Sequence, residues 1–159
     1  PRSSNLREAA SATHPYGDRM ITNVSIVSVF VTDQDKAKAF YLDKLGFVEQ
    51  ADITMDNGFR WCAVCHPDHP ELMVNLAIPG PPADPELVDA VKRALAKGNH
   101  GGVGMATDDC RATIESLRAK GVDIIQEPVE RPYGVEAMIR DDCGNWIVLV
   151  EQRPYARSD

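Results

Sequence analysis

No apolar run in this 159-residue chain approaches the ~20 residues needed for a bilayer-spanning helix. Residues 1 to 19 also lack the apolar centre of a secretory signal, so a cytoplasmic location is expected. Cysteine is scarce: four in the chain, without the spacing of a disulfide framework, which predicts reduced thiols. Basic residues are outnumbered, 17 Lys and Arg against 24 Asp and Glu for a net charge of −7. Without a basic stripe to meet phosphates, a nucleic-acid partner is excluded as a class, while the acidic balance mildly favours a cationic ligand.

What the chain does contain is a repeat. Thr32, Asp33, Ala37 and Gly46 recur as Thr107, Asp108, Ala112 and Gly121, each pair 75 residues apart. Each copy follows an apolar run and opens a helix that ends at a glycine, so the period implies two copies of one supersecondary unit. In the first copy Val27, Val29 and Val31 alternate with Ile26, Ser28 and Phe30, the pattern of a strand with one valine face. Thr32 or Asp33 supplies the helix N-cap, and Ala37, Phe40, Tyr41 and Leu45 fall at helical spacing to cover the valines. Strands are predicted over 47–55 and 59–66, joined by a turn at Asp56-Asn57-Gly58, and over 71–78.

Asp84 and Pro85 then begin a connecting helix, with Leu87, Val91 and Leu95 as its buried stripe and Gly98 at its end. The second copy follows: a strand over 103–106, a helix over 109–120 with Ile114 and Leu117 inward, and strands over 122–126, 135–140 and 146–151. Each half reads strand, helix, strand, strand, strand. The expected organisation is an N-terminal arm (1–20), one domain over 21–152, and a tail (153–159). Within the domain, module one is 21–79, the linker helix 84–98 and module two 100–152.

A doubled βαβββ unit carrying these words resembles the vicinal oxygen chelate superfamily of glyoxalases, extradiol dioxygenases and bleomycin-resistance proteins. The words run from Phe30 to Asp33, through Ala39, Phe40 and Tyr41, to Leu45, Gly46 and Phe47. In the second half they are Thr107 to Asp109, Leu117 to Val122, Pro132-Tyr133-Gly134 and the turn from Asp141 to Trp146. The resemblance implies an α+β fold in which two βαβββ modules pair edge to edge into a curled, cup-forming mixed sheet. It also implies a divalent metal in the catalytic members and, commonly, a homodimer.

In metal-bearing members of the superfamily a histidine lies seven residues before the helix-capping aspartate. Counting from Asp33 and Asp109 gives Ile26 and Gly102. The second-half glutamate falls three residues after the turn asparagine, which here gives Val148. The first-half acidic position lies on the face of Glu71, Met73 and Asn75, in a register the sequence leaves open. Ile, Gly and Val cannot hold a hard cation, so no metal cofactor is expected. One alternative is a displaced divalent site built from His100 and Glu71, in a glyoxalase- or dioxygenase-like enzyme.

Cys62, Cys65 and His66 match a haem-attachment spacing, with His69 nearby suggesting zinc. On a strand, however, the two cysteines face opposite ways, and strand packing is the simpler reading. The cup residues expected to meet a ligand are Phe30, Trp61, Asn75, Glu136, Met138, Arg140 and Trp146, with Tyr133 at the rim and Arg60 as a further polar candidate. The expected function is metal-independent binding of a small molecule.

Overall fold

The computed structural model describes residues 20–154; the expected arm up to residue 19 and the tail from 155 lie outside the described residues. β1 (Ile26–Phe30) leads into α1 (Gln34–Ala39), which continues through a π-helical turn (Phe40–Lys44). β2 (Val48–Thr54), β3 (Arg60–His66) and β4 (His69–Ala77) complete the first module. α2 (Pro85–Ala96) links it to β5 (His100–Ala106), α3 (Cys110–Ala119), β6 (Asp123–Arg131), β7 (Gly134–Arg140) and β8 (Asn145–Gln152). The sheets have the orders β1-β4-β3-β2 and β5-β8-β7-β6. In each, the first strand pairs in parallel with the fourth and the rest are antiparallel. Neither sheet closes on itself, and the modules touch along their edge strands β1 and β5. The fold is α+β, two βαβββ modules in a curled, open arrangement.

The valine face does what its alternation predicts. Val29 and Val31 are buried with Phe40, Tyr41, Val64 and Leu76, and in the second module Ile114 and Leu117 are buried with Ile139, Ile147 and Leu149. Burying such side chains removes apolar surface from water and drives each helix onto its sheet. The side chains of Ile26, Ser28 and Phe30 alternate away from this core onto the opposite, open face of the first sheet, and the second sheet has a matching open face. Asp33 and Asp109 cap the two helices, their carboxylates accepting from Lys36 N at 3.0 Å and Ala112 N at 2.9 Å. The cap in the second module is therefore Asp109, one residue past the 75-residue match. The π turn gives the first helix one more residue between cap and closing glycine (33 to 46) than the second has (109 to 121).

Two expectations are corrected. Leu87 does not join the buried stripe of α2: it is exposed, and Leu95 is the buried residue. The helix meets the body at its C-terminal end, where Gly144, at a φ of 95°, lets the β7–β8 turn close on the Leu95 carbonyl; a Cβ there would stand 1.9 Å from that oxygen. β6 also runs past residue 126 to Arg131 despite Pro128. It is an edge strand with register shifts, and such a strand tolerates a missing N–H.

Candidate functional site

Strand register assigns the open faces. Opposite Phe30 stands Ala77, opposite Ser28 stands Asn75 and opposite Ile26 stands Met73; Ala63 and Cys65 continue the row on β3, and Trp61 faces Ile53 on β2. In the second sheet Trp146, Val148 and Val150 on β8 stand opposite Arg140, Met138 and Glu136 on β7. Phe30, Trp61, Asn75, Glu136, Met138, Arg140 and Trp146 thus all lie on open faces. Arg60 does not. Its register places it on the helix side, where it pairs with Asp52 at 2.7 Å and Asp35 at 2.8 Å.

A polar stitch joins the modules beside these faces. Asn145, fully buried, donates through Nδ2 to the Phe30 carbonyl and to Asp141 Oδ2, both at 2.8 Å. Both amide protons are spent, so Oδ1 is the atom 2.8 Å from His100 Nδ1. The imidazole must then donate from Nδ1, leaving Nε2 as its acceptor when neutral. His100 opens β5, and its ring meets that of Phe30 edge-on, with centroids 6.1 Å apart. It is a strand residue held at the module junction. Trp146 lies over the backbone of β5, where a Cβ on Gly101 would come within 2.8 Å of the indole.

The charged residues on the open faces differ in how free they are. Arg140 donates to the Gly98 carbonyl at 3.1 Å and pairs with Asp123, so its charge is committed to the end of α2 and to β6. Glu136 accepts from Tyr133 Oη, from Gln126 Nε2 at 3.2 Å and from Arg131 at 3.4 Å. The Tyr133 hydroxyl first, then Gln126, hold its carboxyl below the usual glutamate range. Tyr133 therefore leans from the β6–β7 turn onto the open face through Glu136. Gln126 and Ser28, which accepts from Asn75 Nδ2 at 3.2 Å, were not singled out from sequence; strand alternation alone could have found Ser28.

The structure also fixes the register the sequence left open. Val31 N donates to the Ala77 carbonyl at 2.9 Å and Thr107 N to the Val150 carbonyl at 3.0 Å, so Ala77 and Val150 are equivalent. Two residues earlier in each strand stand Asn75 and Val148. By the same ladders Gly101, opposite Trp146, matches Ile26, opposite Met73, so the β5 register shift puts Gly101 rather than the counted Gly102 at the remaining position. Ile26, Asn75, Gly101 and Val148 offer one amide oxygen, and these residues do not fit a divalent cation.

The displaced alternative is not assembled either. Glu71 lies six residues before Ala77, the neighbour of Phe30, roughly 20 Å along the strand from the His100 contact, and it pairs with His69 instead. Cys62 is in the helix-side core, while Cys65 lies on the open face with its Sγ 3.3 Å from Gln50 Oε1. No group of three or more His, Cys, Asp or Glu is placed to hold a metal among the described residues.

The profile of the Glyoxalase/Bleomycin resistance protein/Dioxygenase superfamily matches residues 23–149, through both modules. The chain belongs to this superfamily. Among solved structures, UcmS2 is 43% identical with a TM-score of 0.76, covering 84% of this chain and all of its own. TnmS3, an antibiotic binding protein from Streptomyces sp. CB03234, is 32% identical with a TM-score of 0.68, covering 86% of this chain and all of its own. YurT, an uncharacterised protein of Bacillus subtilis (strain 168), is 32% identical over 130 residues, 81% of this chain and 98% of YurT. No helix among the described residues is long and apolar enough to cross a membrane.

Proposed function

We propose that this superfamily member is a metal-independent small-molecule binding protein of the bleomycin-resistance-like kind, holding an aromatic or amphipathic ligand against its open sheet faces. The observation that carries the reading is that Ile26, Asn75, Gly101 and Val148 occupy the four positions where the resemblance expects metal ligands, in a scaffold that keeps both modules. Where a catalytic member would place a cation, this chain offers apolar surface flanked by Phe30, Met138 and Trp146. Aromatic and thioether side chains with a few fixed polar groups suit a ring-bearing ligand. Similarity to the antibiotic-binding TnmS3 supports the same class. The reading extends to a cytoplasmic homodimer, since the outer edge strands β2 and β6 and the apolar residues Ile26 and Ile53 remain available to a second copy.

The chain's two tryptophans, Trp61 and Trp146, both lie on open faces, so their emission reports on this surface. Titration with bleomycin and with the planar antibiotic daunorubicin, in EDTA, is expected to change that emission saturably for at least one of them. The same ligand should raise the melting temperature by mass action, and Trp146→Phe should weaken both effects. Unchanged emission and melting temperature with both ligands would contradict the proposal.

A further inference from the structure

A second concave region lies away from the open faces. A space of about 1200 Å³ lies between the modules on their helix side, floored by Val27, Phe47 and Val74 of the first module and Met105, Leu117 and Leu149 of the second. Val74, Leu117 and Leu149 belong to the buried core behind the sheets, so the cavity lies across the sheets from Trp61 and Trp146.

Internal symmetry shows that this space is particular to one side of the molecule. The modules meet where Lys44 Nζ donates to the Lys120 carbonyl and Lys120 Nζ donates to the Lys44 carbonyl, a reciprocal pair that marks a local two-fold. On one side of it the β7–β8 turn, four residues long, plugs the space beside α1. There Cys143 Sγ lies 3.7 Å from the Asp33 carbonyl, and Tyr41 is fully buried. On the other side the β3–β4 turn has only two residues, Pro67 and Asp68, and the space beside α3 stays open.

The charged side chains lining the cavity are Asp68, Asp108 and Asp109 against Lys44 and Lys120, three negative to two positive; both lysines keep their charge while donating to each other's carbonyls, and Asp109 caps α3. Asp68 on the short turn and Asp108 before α3 also line the cavity, and neither carboxylate is ion-paired among the described residues. An apolar floor beneath uncommitted carboxylates suits a molecule with a hydrophobic body and a positively charged end. We propose that this inter-module cavity is a second binding site, distinct from the open faces, for an amphipathic amine.

The test compares two probes with one body: dansylcadaverine, which carries a free ammonium, and its N-acetylated derivative, which is neutral. Fluorescence titration of the full chain is expected to show the amine bound about two- to fivefold more tightly than the neutral probe, the scale of one exposed ion pair. The double variant Asp68→Asn/Asp108→Asn should erase that difference. Ser116→Trp, on the exposed face of α3 at the cavity wall, should remove the charge-dependent component of binding, and any component that survives Ser116→Trp and is lost in Trp146→Ala belongs to the open faces. Equal affinity for the two probes, or sensitivity to Trp146→Ala with indifference to Ser116→Trp, would overturn the proposal. Amine binding that appears only after residues 1–19 are removed would assign the cavity to that segment and overturn it as well.

Discussion

At the scale of single residues, the buried side-chain polar atoms of the described residues divide into those that have partners and one, the Tyr41 hydroxyl, that has none. Asp141 accepts from Cys143 N at 2.9 Å, Asn145 N at 2.8 Å and Asn145 Nδ2, and Asn145 spends its remaining capacity on Phe30 and His100. Asn145→Ala is expected to cost about 3 kcal/mol in chemical denaturation, because it leaves a buried carboxylate and a strand-end carbonyl short of donors. A cost under about 1 kcal/mol would show that the module junction does not depend on this stitch. Tyr41 is the contrast: its hydroxyl is buried with no hydrogen-bond partner among the described residues, and burial, with Asp141 and Cys143 nearby, pushes its pKa up. Tyr41→Phe removes that unpaired group and keeps the ring, so it should leave stability unchanged or raise it by about 1 kcal/mol. Destabilisation of similar size would mean that the hydroxyl has a partner, such as a bound water.

At the scale of elements, most of the chain was legible because apolar alternation and caps are local signals. The β1 valines, the Asp33 and Asp84 caps and the Asp141 turn all stand where the pattern puts them. The 75-residue match of Thr32-Asp33 with Thr107-Asp108 was off by one in structural terms. A register shift in β5 between Gly101 and Gly104 moves the second cap to Asp109, and the π turn in the first helix restores the match at Gly46 and Gly121. Neither irregularity leaves a compositional mark.

Arg60 neighbours Trp61 on β3, and successive strand residues face opposite ways, so with Trp61 on the open face Arg60 falls on the helix side. The structure puts it in an ionic clamp: Asp52 accepts from both Arg60 and Lys38, which also reaches Glu49 at 2.9 Å, so edge strand β2 is tied to α1. Arg60 first, then Lys38, hold the Asp52 carboxyl well below the usual range near 3.9. A folded value below the unfolded one means the clamp's contribution is present above about pH 4 and is lost as pH falls through the folded value. Thermal unfolding from pH 6 down to pH 2 should therefore show a steeper loss of stability for the native chain than for Asp52→Asn. Parallel profiles would remove the clamp from the acid response.

At the scale of the whole molecule, the fold was readable from the doubled unit, but the site was readable only in part. The sequence placed Phe30, Trp61, Asn75, Glu136, Met138, Arg140 and Trp146 on strands whose open faces they share in the structure. It could not show that Arg140 is committed to Gly98 and Asp123, nor that Glu136 is held by Tyr133 and Gln126. Those are contacts between strand, turn and linker that no local pattern encodes. The fourth metal position also needed the hydrogen-bond ladders of both sheets before it resolved to Asn75. That register puts Ile26, Asn75, Gly101 and Val148 at the positions the resemblance assigns to metal ligands, which is the core of the functional proposal.

The most direct test is the metal content of the purified chain, measured by elemental analysis after separate incubation with zinc, manganese, nickel and iron followed by desalting. The account predicts metal far below one equivalent in every case, with antibiotic-induced stabilisation unchanged by EDTA. Near-stoichiometric retention of any of the four, with ligand binding lost on chelation and restored by the same ion, would contradict it.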